Sequence, residues 1–227
     1  MLLPVQRRHG NSPIMKATPP ELAALAIMLA ALAGYVDAIA WLSMAGFFAS
    51  FMSGNTTRLG VSLASGELPR ATIALALILS FIAGVIGSSV VAHRFAARHE
   101  PSVMLLVTGL LVGAAIAGSM APPGLVLVLL AAAMGAENGV FQREGEVSIG
   151  LTYVTGTFVR LGQRIAAALI GGGRWDWLPH LALVIGFAAG AVMGAHQQLT
   201  HGFAALWWAA AAAAGLTLLA AILTRRR

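Results

Sequence analysis

Residues 51–60 read Phe51-Met52-Ser53-Gly54-Asn55-Thr56-Thr57-Arg58-Leu59-Gly60, a polar run set between long apolar segments. It is too polar for a helix facing lipid and too apolar for an ordinary loop. At a shift of 102 residues a second version follows, Tyr153-Val154-Thr155-Gly156-Thr157-Phe158-Val159-Arg160-Leu161-Gly162. Gly, Arg, Leu and Gly are identical, and the Ser/Thr and Phe/Tyr changes are conservative. At the same shift Gly84 falls on Gly186, Ser88 on Gly190 and Gly113 on Gly215. Upstream, moving by one residue places Gly34 and Asp37 over Gly135 and Asn138. Self-similarity over this length predicts two copies of one unit, residues 20–120 and 121–227.

The solvent for these units follows from composition. Of 227 residues 59% are hydrophobic and 10% charged, and mean hydropathy is +0.84, which suits a bilayer better than water. Apolar stretches of about 20 residues match the roughly 30 Å hydrocarbon layer as helices, whereas a β-barrel would alternate over about half that length. The predicted spans are Leu22–Ala45 (opened by Pro19, Pro20 and Glu21), Arg70–Ala92, Ser102–Ser119, Pro123–Val140, Leu178–Gln198 and Phe203–Leu223. The semi-polar stretches Gly46–Leu68 and Ser148–Ile170 lie between them. The expected fold is therefore an all-α integral membrane protein, with about six transmembrane helices and two re-entrant or broken helices carrying the polar runs.

Each unit is then a span, a polar segment and two further spans. If the polar segments do not cross, three spans per unit make the units inverted relative to each other. Arg7, Arg8, Lys16, Arg94, Arg98, Arg143, Arg174 and Arg225–Arg227 then face the cytoplasm and only Arg70 lies outside. If they cross, eight spans result, and Arg94, Arg98 and Arg143 move outside, against the positive-inside tendency. Six spans are preferred, with both termini cytoplasmic. Residues 1–19 contain Arg7, Arg8 and Lys16 but no apolar core, so they read as a short cytoplasmic tail rather than a signal peptide.

A net charge of +6 would suggest nucleic acid in a soluble protein, but the basic residues sit at span ends. No nucleic-acid partner is expected. The chain has no cysteine, which excludes disulfides and thiolate metal sites. The six histidines show no ligand spacing, and His93 and His99 fall in a loop, so no metal is expected. Gly-rich phosphate loops, Gly-x-Ser-x-Gly and zinc-protease signatures are missing, so neither enzyme activity nor a cofactor is predicted.

Non-helical backbone at membrane depth must be buried in protein or line a wet cavity. In Ser53-Gly54-Asn55-Thr56 and Thr155-Gly156-Thr157 the glycine permits a break, and a hydroxyl or amide can cap the following helix. Such a helix start, with Arg58 or Arg160 one turn later, would stabilise an anion. Gly156, Arg160 and Arg164 also fall on one helix face. The plainer reading is a tight turn with arginines reaching lipid headgroups. Asp37 lies deep in the first span, where a bare carboxylate is costly, and Arg58 is the expected partner, with proton coupling as the alternative. Glu137 and Asn138 hold the related place in the second unit; Glu137 is also near the end of its span, and the alternative for it is a boundary residue that reaches water. The four-residue rows Ser80, Gly84, Ser88, Ala92 and Ala182, Gly186, Gly190, Gly194 read as helix-packing faces. Trp175, Trp177, Trp207 and Trp208 lie near span ends, where indoles favour the interface.

At Gly34-Tyr35-Val36-Asp37-Ala38, at Phe48-Ala49-Ser50-Phe51-Met52-Ser53-Gly54-Asn55-Thr56, and at Gly135-Ala136-Glu137-Asn138 with Thr152-Tyr153-Val154-Thr155-Gly156-Thr157, the chain resembles the YoaK family of bacterial membrane proteins. The likeness covers nearly everything after about residue 20. Ser53 stands where that family usually has Thr, and Glu137 where it often has Gln. The resemblance implies an inner-membrane protein of six or so spans and no established substrate.

The functional expectation is a small-solute transporter or permease, its solute held near the bilayer midplane between the two polar segments and carrying negative charge. Asp37, Ser53, Gly54, Asn55, Thr56, Arg58, Asn138, Thr155, Gly156, Thr157 and Arg160 would line that site. A homodimer would close the pathway if one chain is too small. The alternatives are a channel, or a membrane scaffold or enzyme subunit in which the segments only lock the halves together.

Overall fold

Prolines open four of the long helices, Pro20, Pro69, Pro123 and Pro179, at positions where a missing N–H costs no hydrogen bond. The computed structural model describes residues 20–43, 46–143, 146–147 and 154–225. The tail 1–19, Thr152 and Tyr153 of the second polar run, and Arg226 and Arg227 lie outside the described residues. In chain order the helices are α1 Pro20–Ser43, α2 Met52–Ala64, α3 Leu68–Arg94, α4 His99–Met120, α5 Pro123–Glu137, α6 Val154–Leu169, α7 Leu178–His201 and α8 Leu206–Arg225. Short 3-10 turns fill Ala96–Arg98, Asn138–Phe141 and Gly202–Ala205, and Gln142–Arg143 pairs antiparallel with Glu146–Val147.

Among the described residues five stretches are long and apolar enough to cross a membrane: Pro20–Ser43, Leu68–Arg94, Ala96–Met120, Pro123–Phe141 and Leu178–Arg225. The last contains 48 residues. At about 1.5 Å per residue that is roughly twice the hydrocarbon thickness. It folds back at Gly202, whose φ of +57° suits glycine. Beyond this turn α8 runs beside α1, and the Tyr35 hydroxyl donates to the Ala205 carbonyl of the turn itself at 2.9 Å.

Packing direction can be read from close contacts. Ile27, Ala31 and Tyr35 of α1 meet Gly186, Gly190 and Gly194 of α7 in turn, so these two helices run parallel. Gly84 and Ser88 of α3 meet Ala132 and Gly139 at α5 in the same sense. By contrast α4 and α8 are antiparallel. Glu100 accepts from Thr224 (3.4 Å), Thr108 bonds Thr217 (3.0 Å), and Gly118 lies against Phe203.

The two parallel pairs pack alike. A Cβ on Gly34 would strike the Phe187 carbonyl and one on Gly190 the Ala31 carbonyl; a Cβ on Gly135 would strike the Phe81 carbonyl and one on Gly84 the Ala132 carbonyl. Backbones this close require glycine. Gly190 meets its facing carbonyl as closely as Gly84 does, and Gly186 less closely. At four-residue spacing Gly186 and Gly190 look alike in the sequence. α1 and α5 carry the most buried faces and form the centre, flanked by α7, α8, α4 and α3.

Candidate site at two buried acids

The polar interior starts with a chain reversal. After α1 the backbone turns at Gly46 and comes back as an irregular segment, 47–51, bent at Ala49 and Ser50, which carries Ser50 to Asp37. The Ser50 amide and hydroxyl donate to the two Asp37 oxygens, each at 2.6 Å. Both residues are buried. α2 begins two residues later, so the positive end of its dipole lies near the same carboxylate. A helix start expected to hold a solute anion thus sits by the chain's own Asp37.

Arg58 is not the partner of Asp37. Its guanidinium lies over the rings of Trp41, Phe47 and Phe48, at 5.1, 5.5 and 5.9 Å from their centroids. Trp41 and Phe48 meet at a tilt with centroids 4.9 Å apart and Phe51 meets Phe48 edge-on at 5.1 Å, so the arginine caps an aromatic wall.

Asn55 has no exposed surface, and its side chain pairs with one peptide: Oδ1 accepts from the Phe48 amide (3.1 Å) and Nδ2 donates to the Phe48 carbonyl (2.7 Å). It satisfies the N–H and the C=O of a peptide that lies outside any helix or strand. The helix starts earlier than the glycine implies, at Met52 with Phe51 as an N-cap that makes no side-chain bond. Gly54 is not a break; the Phe51 ring fills the space a Cβ would need. Ser53 and Thr56 are exposed, and Thr56 bonds back to the Met52 carbonyl at 2.9 Å.

In the second half Asn138 is buried at the end of α5 and donates to the Met134 carbonyl at 2.9 Å. Its neighbour Glu137 is not the boundary residue its place in the sequence suggests. It is 0% exposed, within electrostatic reach of Asp37, and neither carboxyl oxygen has a hydrogen-bond partner among the described residues. In α6, Thr155, Gly156 and Arg160 are exposed, Arg164 is half-buried and Thr157 is buried. Arg160 and Arg164 act electrostatically on His180 of α7.

Among the described residues the two polar helices, α2 and α6, do not form a shared packing face. α2 packs on α3 and α6 on α7, and among the described residues no comparable contact joins α2 to α6. What does come together is Asp37, Ser50, Glu137 and the adjoining Asn138. The reading of the sequence missed Ser50 and the depth of Glu137. The 3-10 turn after α5 keeps Glu137 and Asn138 inside the bundle. No three His, Cys, Asp or Glu side chains gather into a metal-binding group among the described residues.

Against known proteins, a family model described as a protein of unknown function, DUF1275, matches residues 25–219. The chain is also similar to a UPF0700 transmembrane protein of Rhizobium meliloti (strain 1021), with 36% identity over 203 residues, 89% of this chain and 88% of the relative. No solved structure matches.

Proposed function

The chain belongs to the DUF1275 family of multi-span transmembrane proteins of unknown function, and from that premise we propose that it is a small-solute transporter or permease of the bacterial inner membrane. Six crossings with cytoplasmic termini and two inverted halves are part of this reading, as is the resemblance to the YoaK proteins. Antiparallel α4 and α8 favour six crossings over eight. With α2 and α6 not crossing, these helices are the third and sixth spans and must oppose each other; with both crossing they would be the fourth and eighth and run the same way. Length agrees, since the 13 residues of α2 cover only about 20 Å at 1.5 Å per residue. The like contacts of Gly34 and Gly190 with those of Gly135 and Gly84 support related halves.

One observation carries the transport reading: a pair of carboxyls buried between the two central helices, one of them without a bonding partner among the described residues. Ionisable groups inside a bundle are expensive and mark ion or solute paths. The charge at this centre is acidic, so it suits a neutral or cationic solute or a coupling proton, rather than the anion that Arg58 and Arg160 suggested. A scaffold role draws support from Asn55 and Asp37, whose bonding goes to Phe48 and Ser50 of the same chain. Uptake into proteoliposomes from a panel of small organic cations and neutral metabolites separates the two. Transport predicts entry of at least one solute, reduced in Asp37→Asn. A folded wild type that moves none of them favours the scaffold.

A further inference from the structure

Glu137 poses a definite chemical problem. A carboxylate with no donor, removed from water, is among the least tolerable groups in an apolar interior. Two features worsen it. Asp37 acts on it across the α1–α5 contact. It is also the last residue of α5, where the helix dipole is negative. Ser50 donates to both Asp37 oxygens, and among the described residues nothing comparable serves Glu137.

The charged or titratable groups on the elements packed against α5 are Glu21, Tyr35 and Asp37 of α1, Arg70, His93 and Arg94 of α3, and His99 and Glu100 of α4. Only Asp37 acts on Glu137. No cation offsets its charge from any side among the described residues. Asn138 donates to the Met134 carbonyl and gives no hydrogen bond to either Glu137 oxygen.

From this geometry we infer that Glu137 is a proton-binding site inside the membrane, set beside an Asp37 whose two oxygens Ser50 already bonds. The exchange is simple: one O–H bond of the Glu137 carboxyl forms or breaks, and the proton leaves to Asp37 or to water admitted when the halves part. Two carboxyls in unlike surroundings, one held by donors and one bare, are a suitable arrangement for such a transfer. Proton binding at Glu137 stands by itself; its use as the coupling proton rests on the transport reading above.

Infrared spectroscopy of the full chain in lipid tests it without any solute. The wild type should show the carbonyl stretch of a protonated carboxylic acid near neutral pH. That band should shift when glutamate carboxyls are labelled with carbon-13, disappear in Glu137→Gln and persist in Asp37→Asn. The labelled wild type keeps the test open even if the variants fold poorly. Absence of a glutamate-derived acid band, or its survival in Glu137→Gln, overturns the proposal. If the band is present but no solute moves in proteoliposomes, the proton site stands and the transport reading falls. If solute moves without the band, the reverse holds.

Discussion

Asp37 on α1 and Glu137 on α5 are both buried and act on each other, yet their surroundings differ. Asp37 receives the amide and the hydroxyl of Ser50, brought back to it by a backbone that Asn55 holds through Phe48. Glu137 receives no donor among the described residues. In the first half the interrupted backbone and the acid thus satisfy each other. In the second half an acid is left with open bonding capacity, which is the condition for exchanging a ligand. A buried charge that is fully answered by its own chain stabilises the fold; one that is not answered is available for function.

Unfolding of purified protein in detergent by denaturant can break this contrast. The largest loss is expected for Asp37→Ala, which removes two bonds to a charged acceptor at about 1.5–3 kcal/mol each and strands both Ser50 donors. Glu137→Gln, which loses no bond, should change stability by no more than about 1 kcal/mol. Equal losses would mean that the two acids are held alike.

A smaller effect sharpens the likeness of the helix pairs. Gly84→Ala and Gly190→Ala each push a methyl into a facing carbonyl and should cost about 1–3 kcal/mol. Gly60→Ala, whose added carbon meets nothing, should be neutral or slightly stabilising. Should only one of the two tight glycines matter, the α1–α7 and α3–α5 contacts are not equivalent.

The smallest effect concerns the arginines. Arg58→Ala should lose about 0.5–2 kcal/mol with its three ring contacts, while Arg160→Ala, exposed on α6, should stay within about 0.5 kcal/mol. Comparable losses in the same unfolding measurement would restore the symmetric roles that their matched positions suggest.

Most of the helices are legible in advance because hydropathy and proline are local signals. The expected spans Arg70–Ala92 and Pro123–Val140 sit inside or across the observed Leu68–Arg94 and Pro123–Phe141, with ends moved by a few residues. Packing glycines are legible as rows, but not which turn of a row meets its partner, since Gly186 and Gly190 look alike at four-residue spacing. The site is less so. Arg58 is the nearest opposite charge to Asp37 along the motif, and that proximity misleads, because aromatic rings claim the guanidinium first.

The amino-acid sequence by itself determined that this protein resides in a bilayer, where its helices run, and that Asp37 needs a partner. Those are sums over neighbouring residues. Tertiary structure alone decided that the partner is Ser50, that Asn55 is spent on Phe48, and that Glu137 is sealed beside Asp37 rather than reaching water. Each of these depends on where a returning backbone or a crossing helix places a donor in space. In an interior without water, that placement governs whether a polar group is satisfied or left open.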